Sequence, residues 1–175
     1  MTAAVNLPAE WQLKQLAQRY LETVPHQIGE TVQIGWFIFR VASASVPPEL
    51  ESLDFRKMAS FTVDFSEAER IRVLQTEALE RFQVDAEGCT LLQTALVSRS
   101  YSPLRSDAFI ERQTPNGEND SGWYVGVLKE KKDMDDEGSF DVRSLYELSI
   151  TDQRMLPFWL LPTGMKLILS TGQRL

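Results

Sequence analysis

Apolar residues recur at threes and fours along residues 8–24, where Trp11, Leu13, Leu16, Ala17, Tyr20, Leu21 and Val24 share one face. That period predicts an amphipathic helix, with Pro8 in its first turn and Pro25 as its stop. Residues 31–42, TVQIGWFIFRVA, are rich in aromatic and β-branched side chains and read as one long strand ended by Pro47-Pro48. A short helix or turn is expected at 49–58. The spacing Ser66-Glu67-Ala68-Glu69 suits a capping box, in which cap and third residue satisfy each other's backbone donors. The helix it opens is predicted over 66–84, with Ile71, Leu74, Ala78, Leu79 and Phe82 on one side and Gly88 in the turn beyond.

The second half has a shorter rhythm. Residues 90–98 form a nearly continuous apolar run and predict a buried strand, followed by a shorter one at 108–112. In NDSGWYVG, residues 119–126, turn-forming residues give way to alternation, Trp123, Val125 and Val127 against Tyr124, Gly126 and Leu128. Asn and Asp bond readily to nearby backbone and Gly accepts positive φ, so 116–122 reads as a loop and 122–129 as a strand anchored by Trp123. Asp120, Ser121 and Gly122 are assigned first to the turn that presents Trp123. A charged loop spans 129–138, helical turns are expected at 142–150 and 153–161 around Pro157 and Pro162, and 165–169 is a last strand. The echo between Gly35-Trp36-Phe37-Ile38 and Gly122-Trp123-Tyr124-Val125 is read as chance, because no period supports duplication.

The reading is an α+β fold: an antiparallel sheet of about four to five strands with two main helices packed on one face. Residues 1–86 form a helix-strand-helix region and 87–175 a second domain, together one compact unit, since 175 residues suffice for one good core. Charged residues make up 25% of the chain and apolar ones 43%, which suits a soluble globular protein. The start of the chain lacks a signal-peptide pattern and no apolar run is long enough to span a bilayer, so the expected location is the cytoplasm. A net charge of −7 argues against nucleic-acid or membrane partners and favours a basic protein partner.

Candidate chemistry is sparse. Cys89 is the one cysteine, which excludes an internal disulfide and a cysteine zinc cage and reads as a small buried hydrophobe. His26 is the one histidine, and in Pro25-His26-Gln27 it reads as a turn residue. Asp133, Asp135, Glu137, Gly138 and Asp141 fit a calcium-loop register with Phe140 at the apolar eighth place. The twelfth position, however, is Ser144, and the entering segment is a strand, so the loop is read as solvated. No metal or cofactor is expected. Glu111, Glu118, Asp120 and Glu147 are carboxylates without a convergent arrangement visible in sequence. A serine-hydrolase elbow and a phosphate loop are both missing. The aromatics Trp36, Phe37, Phe39, Trp123, Tyr124, Phe158 and Trp159 leave two readings open, a core with a covered second layer or an exposed binding patch. Alternation along a strand would turn one ring of each adjacent pair outward.

The order Val97-Ser98, Asp120-Ser121-Gly122-Trp123 and Leu161-Pro162-Thr163-Gly164, spread over residues 89–170, resembles a bacterial immunity-protein domain first catalogued as a domain of unknown function. This is the thirty-third immunity family of polymorphic toxin systems. The chain departs from the family pattern after the tryptophan strand, where Gly126 is followed by Val127-Leu128 instead of an acid. The resemblance implies an immunity protein that neutralises a cognate bacterial toxin or secreted effector by direct contact, with no catalytic residue of its own. Binding is assigned to Asp120, Ser121, Trp123 and Tyr124 and to the acidic run Asp133, Asp135, Asp136 and Glu137. An adaptor or structural component of a secretion or phage-like assembly is the alternative, and a carboxylate-dependent enzyme is the remaining one.

Overall fold

The computed structural model describes residues 13–43, 45–128 and 137–169. The chain divides into two compact units, residues 1–73 and 74–175. In the first, α1 (Leu13–Leu21) buries Leu13, Ala17 and Leu21 on the face that the apolar period predicted. A four-stranded antiparallel sheet follows in the order β1 (Thr31–Ile34), β2 (Phe37–Ser43), β3 (Glu49–Leu53) and β4 (Phe61–Thr62). The helix α2 (Ser66–Phe82) then crosses from the first unit into the second.

Two expectations for this unit change. The single strand over 31–42 is a hairpin, because Gly35 at φ 60° opens a two-residue loop between the paired residues Ile34 and Phe37. Trp36 therefore sits in the loop rather than on a strand face, and it folds inward to stack on Phe55 at 5.6 Å. Phe37 and Phe39 are buried as well, so neither ring of the Trp36-Phe37 pair faces out. The helix or turn expected at 49–58 is instead β3, whose Leu50 and Ser52 pair across to Val41 and Phe39. The α2 start is where the pattern placed it, but Asp64 accepts the Ser66 N–H at 2.9 Å. Glu69 spends its carboxylate elsewhere, on the Leu13 N–H at the start of α1 and on Arg72.

The second unit holds β5 (Thr94–Ser98), β6 (Ala108–Arg112), β7 (Asp120–Val127), β8 (Phe140–Ser144), α3 (Leu145–Thr151), a 3-10 turn (Gln153–Phe158) and β9 (Lys166–Ile168). Its sheet runs β8-β5-β7-β6-β9. The α+β content is as expected, while the strands assigned to one sheet divide between two. Because β6 leaves a gap that β7 fills, β7 lies parallel to β5 and antiparallel to β6. The strand expected from residue 90 begins at Thr94, since Thr90 to Gln93 is a turn tied by the Gln93 side chain accepting the Thr90 N–H. The helix expected from 142 begins only at Leu145: Val142 and Arg143 pair with Leu96 and Ala95, and Ser144 caps α3 by accepting the Glu147 N–H.

One face of this sheet carries the core, with Ala95, Val97, Ala108, Ile110, Trp123 and Val125 at 1% exposure or less. A second buried anchor joins the ends of the unit. Asp152 accepts from the Tyr101 hydroxyl at 2.8 Å and pairs with Arg154 at 2.6 Å, while Arg154 donates to the Arg105 and Leu169 carbonyls. Burial alone would raise the Asp152 carboxyl, but the Arg154 guanidinium and the Tyr101 hydroxyl outweigh it and hold it below the usual aspartate range.

Two outcomes follow from this geometry. Gly122 has φ 76°, and a Cβ there would overlap the Gln113 carbonyl oxygen, so Gly122→Ala is expected to cost at least about 3 kcal/mol in urea unfolding followed by circular dichroism. Asp152 stabilises the fold fully above its unfolded value of about 3.9 and ceases to do so as pH falls through the lower folded value. Asp152→Asn should therefore be less stable at neutral pH yet lose stability less steeply than wild type below about pH 4, measured as urea midpoints across pH.

Candidate interaction surface

Asp120, Ser121, Gly122 and Trp123 form a bulge in the central strand, where the β5–β7 register jumps between Thr94 and Leu96. Asp120 Oδ1 accepts the Gly122 N–H at 2.8 Å and Oδ2 accepts the Asn116 N–H at 2.7 Å. Ser121 Oγ donates to the Thr94 carbonyl and accepts the Trp123 N–H. Trp123 then enters the core edge-on to Trp159 at 5.5 Å, and its Nε1 donates to the Trp159 carbonyl, as does the Cys89 thiol. Trp159 in turn donates to Ser149 Oγ. Burial pushes the Cys89 thiol up to about 11, so it stays protonated and packs as a hydrophobe.

Beneath Trp123 lies Arg112, of which 1% is exposed. Its guanidinium donates to the carbonyls of Glu87, Gly88, Ser121 and Leu161 at 2.6 to 3.3 Å. The Glu87 carboxylate lies 3.8 Å away and also holds the Thr163 N–H and hydroxyl. Arg112 was not singled out as a site residue in the sequence; an arginine on an otherwise inward-facing position of a strand was the signal for it.

The other face of the sheet is different. Val142, Leu96, Tyr124, Glu111 and Lys166 form one register row across all five strands. Val142 is 68% exposed, Leu96 37% and, one row on, Ile168 58%. Tyr124 is half-buried and touches the rings of Phe109 and Phe140 at 5.6 and 6.0 Å. Gly126 makes this possible: a Cβ there would lie 2.6 Å from the Phe109 ring, which rests on the bare backbone. Beside the row, a recess of about 90 Å³ is lined by Leu96, Gln113, Thr114, Asp120, Gly122, Trp123 and Tyr124. Pockets for small-molecule substrates are usually roughly 300 Å³ or more, so the recess suits one side chain rather than a substrate.

The predicted binding residues thus separate. Ser121 and Trp123 are buried, Trp123 also closing one side of the recess, whereas Asp120 and Tyr124 line the recess and are only half-buried. Asp133, Asp135 and Asp136 lie outside the described residues, and Glu137 begins a 3-10 turn before β8. Of the calcium register, Asp141 is paired with Arg99 and Arg143 and Ser144 caps α3. No group of three or more His, Cys, Asp or Glu among the described residues is placed to hold a metal ion. His26 Nδ1 lies 3.1 Å from the Val24 carbonyl in the chain reversal after α1. Glu111 pairs with Lys166 on the open face, while Glu147 faces Arg143 beside α3.

A sequence model of the Imm33-like domain matches residues 74–174, which coincides with the second compact unit. The chain belongs to the Imm33-like family. No curated protein and no solved structure matches it. In this Imm33-like unit the segments that carried the resemblance converge on one interior layer. Ser121 and Leu161 offer carbonyls to Arg112, Gly164 donates its N–H to the Arg112 carbonyl, and Val97 is fully buried beside them on β5.

If that layer holds the unit together, Arg112→Met should destabilise it by roughly 3–5 kcal/mol, because several buried carbonyls lose their donor at once. Arg112→Lys should rescue little of this, since one ammonium cannot span carbonyls reached by a planar fork. Urea unfolding of both variants checks the pair.

Proposed function

We propose that this chain is an immunity protein that neutralises a cognate bacterial toxin or secreted effector by binding it in the cytoplasm. The observation that carries the reading is the open face of the Imm33-like sheet, where Val142, Leu96 and Tyr124 run side by side across three strands. Solvent-facing apolar residues in register, with aromatic support beneath, are what a buried interface centre requires. Around them Glu111 is paired with Lys166, and Asp120 has no cation partner among the described residues, which gives the row a polar rim with a net negative end. Together with the charge of −7, that rim favours a basic partner and speeds its approach. Inhibition by occupancy needs no reacting group. The buried thiol of Cys89, hydroxyl of Tyr101 and carboxylate of Asp152 all spend their polar atoms on internal partners.

The test is co-expression with the toxin encoded by the adjacent gene, scored by survival and co-purification. Val142→Asp and Leu96→Asp place a charge in the apolar part of the row; at 68% exposure the Val142 variant should keep its stability within about 0.5 kcal/mol, and the Leu96 variant, at 37% exposure on an inner strand, should still fold at a cost of roughly 1–2 kcal/mol. Protection should fall at least about tenfold, the effect of losing one well-packed interface contact. Full protection by both variants would remove this face from the interface.

A further inference from the structure

We infer that the recess beside the apolar row is a receptor for an arginine side chain of the partner; this rests on the docking reading above. The carboxylate of Asp120 is held in place by two backbone donors, the Gly122 N–H on Oδ1 and the Asn116 N–H on Oδ2. Each oxygen keeps one further acceptor site, and two parallel sites on one fixed carboxylate match the fork of a guanidinium. Among the described residues no cation pairs with Asp120, whereas Glu111 on β6 and Asp141 on β8 have Lys166 and Arg99. The rest of the lining completes the fit. Leu96 and Tyr124 offer an apolar and aromatic wall for the stem and the flat face of the guanidinium, and the exposed Gln113 and Thr114 border the mouth. At about 90 Å³ the space takes one such side chain. A lysine would supply the charge without the planar fork, and a neutral side chain would leave the Asp120 carboxylate unpaired under the partner.

The partner surface that fits this face is therefore an arginine standing beside apolar residues, the arginine entering the recess and its neighbours covering Val142 and Leu96. Such a residue is the kind that dominates interface energetics once the partner's apolar neighbours cover its pairing from solvent.

The probe is N-acetyl-arginine amide, titrated into the full chain and followed by backbone amide resonances, with the lysine and citrulline amides as controls. Citrulline keeps the shape of arginine without its charge. We expect saturable shifts centred on Leu96, Gln113, Thr114 and Tyr124, at least about tenfold weaker binding for citrulline, and intermediate binding for lysine. Asp120 also shapes the bulge, so the blocking variant is Thr114→Trp at the exposed mouth, which should abolish the shifts while the melting temperature is unchanged. Citrulline binding as tightly as arginine, or shifts confined to other residues, overturns the recess. If that happens while Val142→Asp still destroys protection, the docking face stands and only the arginine assignment falls. If arginine binds as expected while Val142→Asp protects fully, the recess stands and the docking reading falls.

Discussion

A guanidinium buried to 1% exposure has to be surrounded by acceptors, and Arg112 collects them from segments far apart in the chain. The carbonyls at Glu87 and Gly88 precede the sheet, that of Ser121 belongs to the central strand, and that of Leu161 precedes the last one. Each carbonyl would itself be costly to bury without a donor, so the constraint runs both ways. Backbone bonds at the same residue, from Arg112 N to Met165 O and from Gly164 N to Arg112 O, add the turn that leads into β9. Four parts of the unit are thereby fixed around one residue, and Trp123 packs against its charge, 5.7 Å from the guanidinium carbon.

That arrangement explains why the segments that mark the family speak of its interior and not of a partner. Asp120 to Trp123 are needed for the bulge: one carboxylate to hold two amides, one hydroxyl to bridge strands, one residue without a Cβ and one large ring to fill the layer. Every one of those demands is local and internal. Val142 and Ile168, at 68% and 58% exposure, face no such demand, and Leu96 between its neighbouring strands is still 37% exposed. Strand preference accounts for β-branched residues there, but their exposed apolar surface is not spent on the core, which is the reason to look for a use outside the molecule.

Local chemistry made much of the fold legible. The period of α1, the start of α2 and the alternation of Trp123, Val125 and Val127 all follow from side chains within a few residues of one another. What escaped depended on distant partners. A hairpin at Gly35-Trp36 hid inside a continuous aromatic run because a two-residue loop leaves almost no compositional trace. The parallel pairing of β5 with β7 is set by the order in which strands are laid down, not by either strand's own pattern. Val142 and Arg143 read as helix because Ser144, the true cap, stands two residues further on. Asp120 and Tyr124 stand out in the sequence through their turn and alternation, whereas Leu96 and Val142 are brought together only by the register.

The inner and outer faces are mechanically linked, and this bears on how such a surface binds. Tyr124 lies between Trp123 and Val125 on a strand whose two neighbours are both hydrogen-bonded to it, and its ring is braced by Phe109 and Phe140. Phe109 keeps its place because Gly126 leaves room for it and Lys166 Nζ covers it at 4.4 Å. The Asp120 carboxylate is likewise held by two amides before any partner arrives. A surface whose anchors are already ordered forfeits little conformational entropy on association, so more of its contact energy appears as affinity. On the proposed docking reading, the buried charge on Arg112 serves recognition indirectly: by fixing β6 and β7 from below, it holds the row above them in shape before any partner arrives.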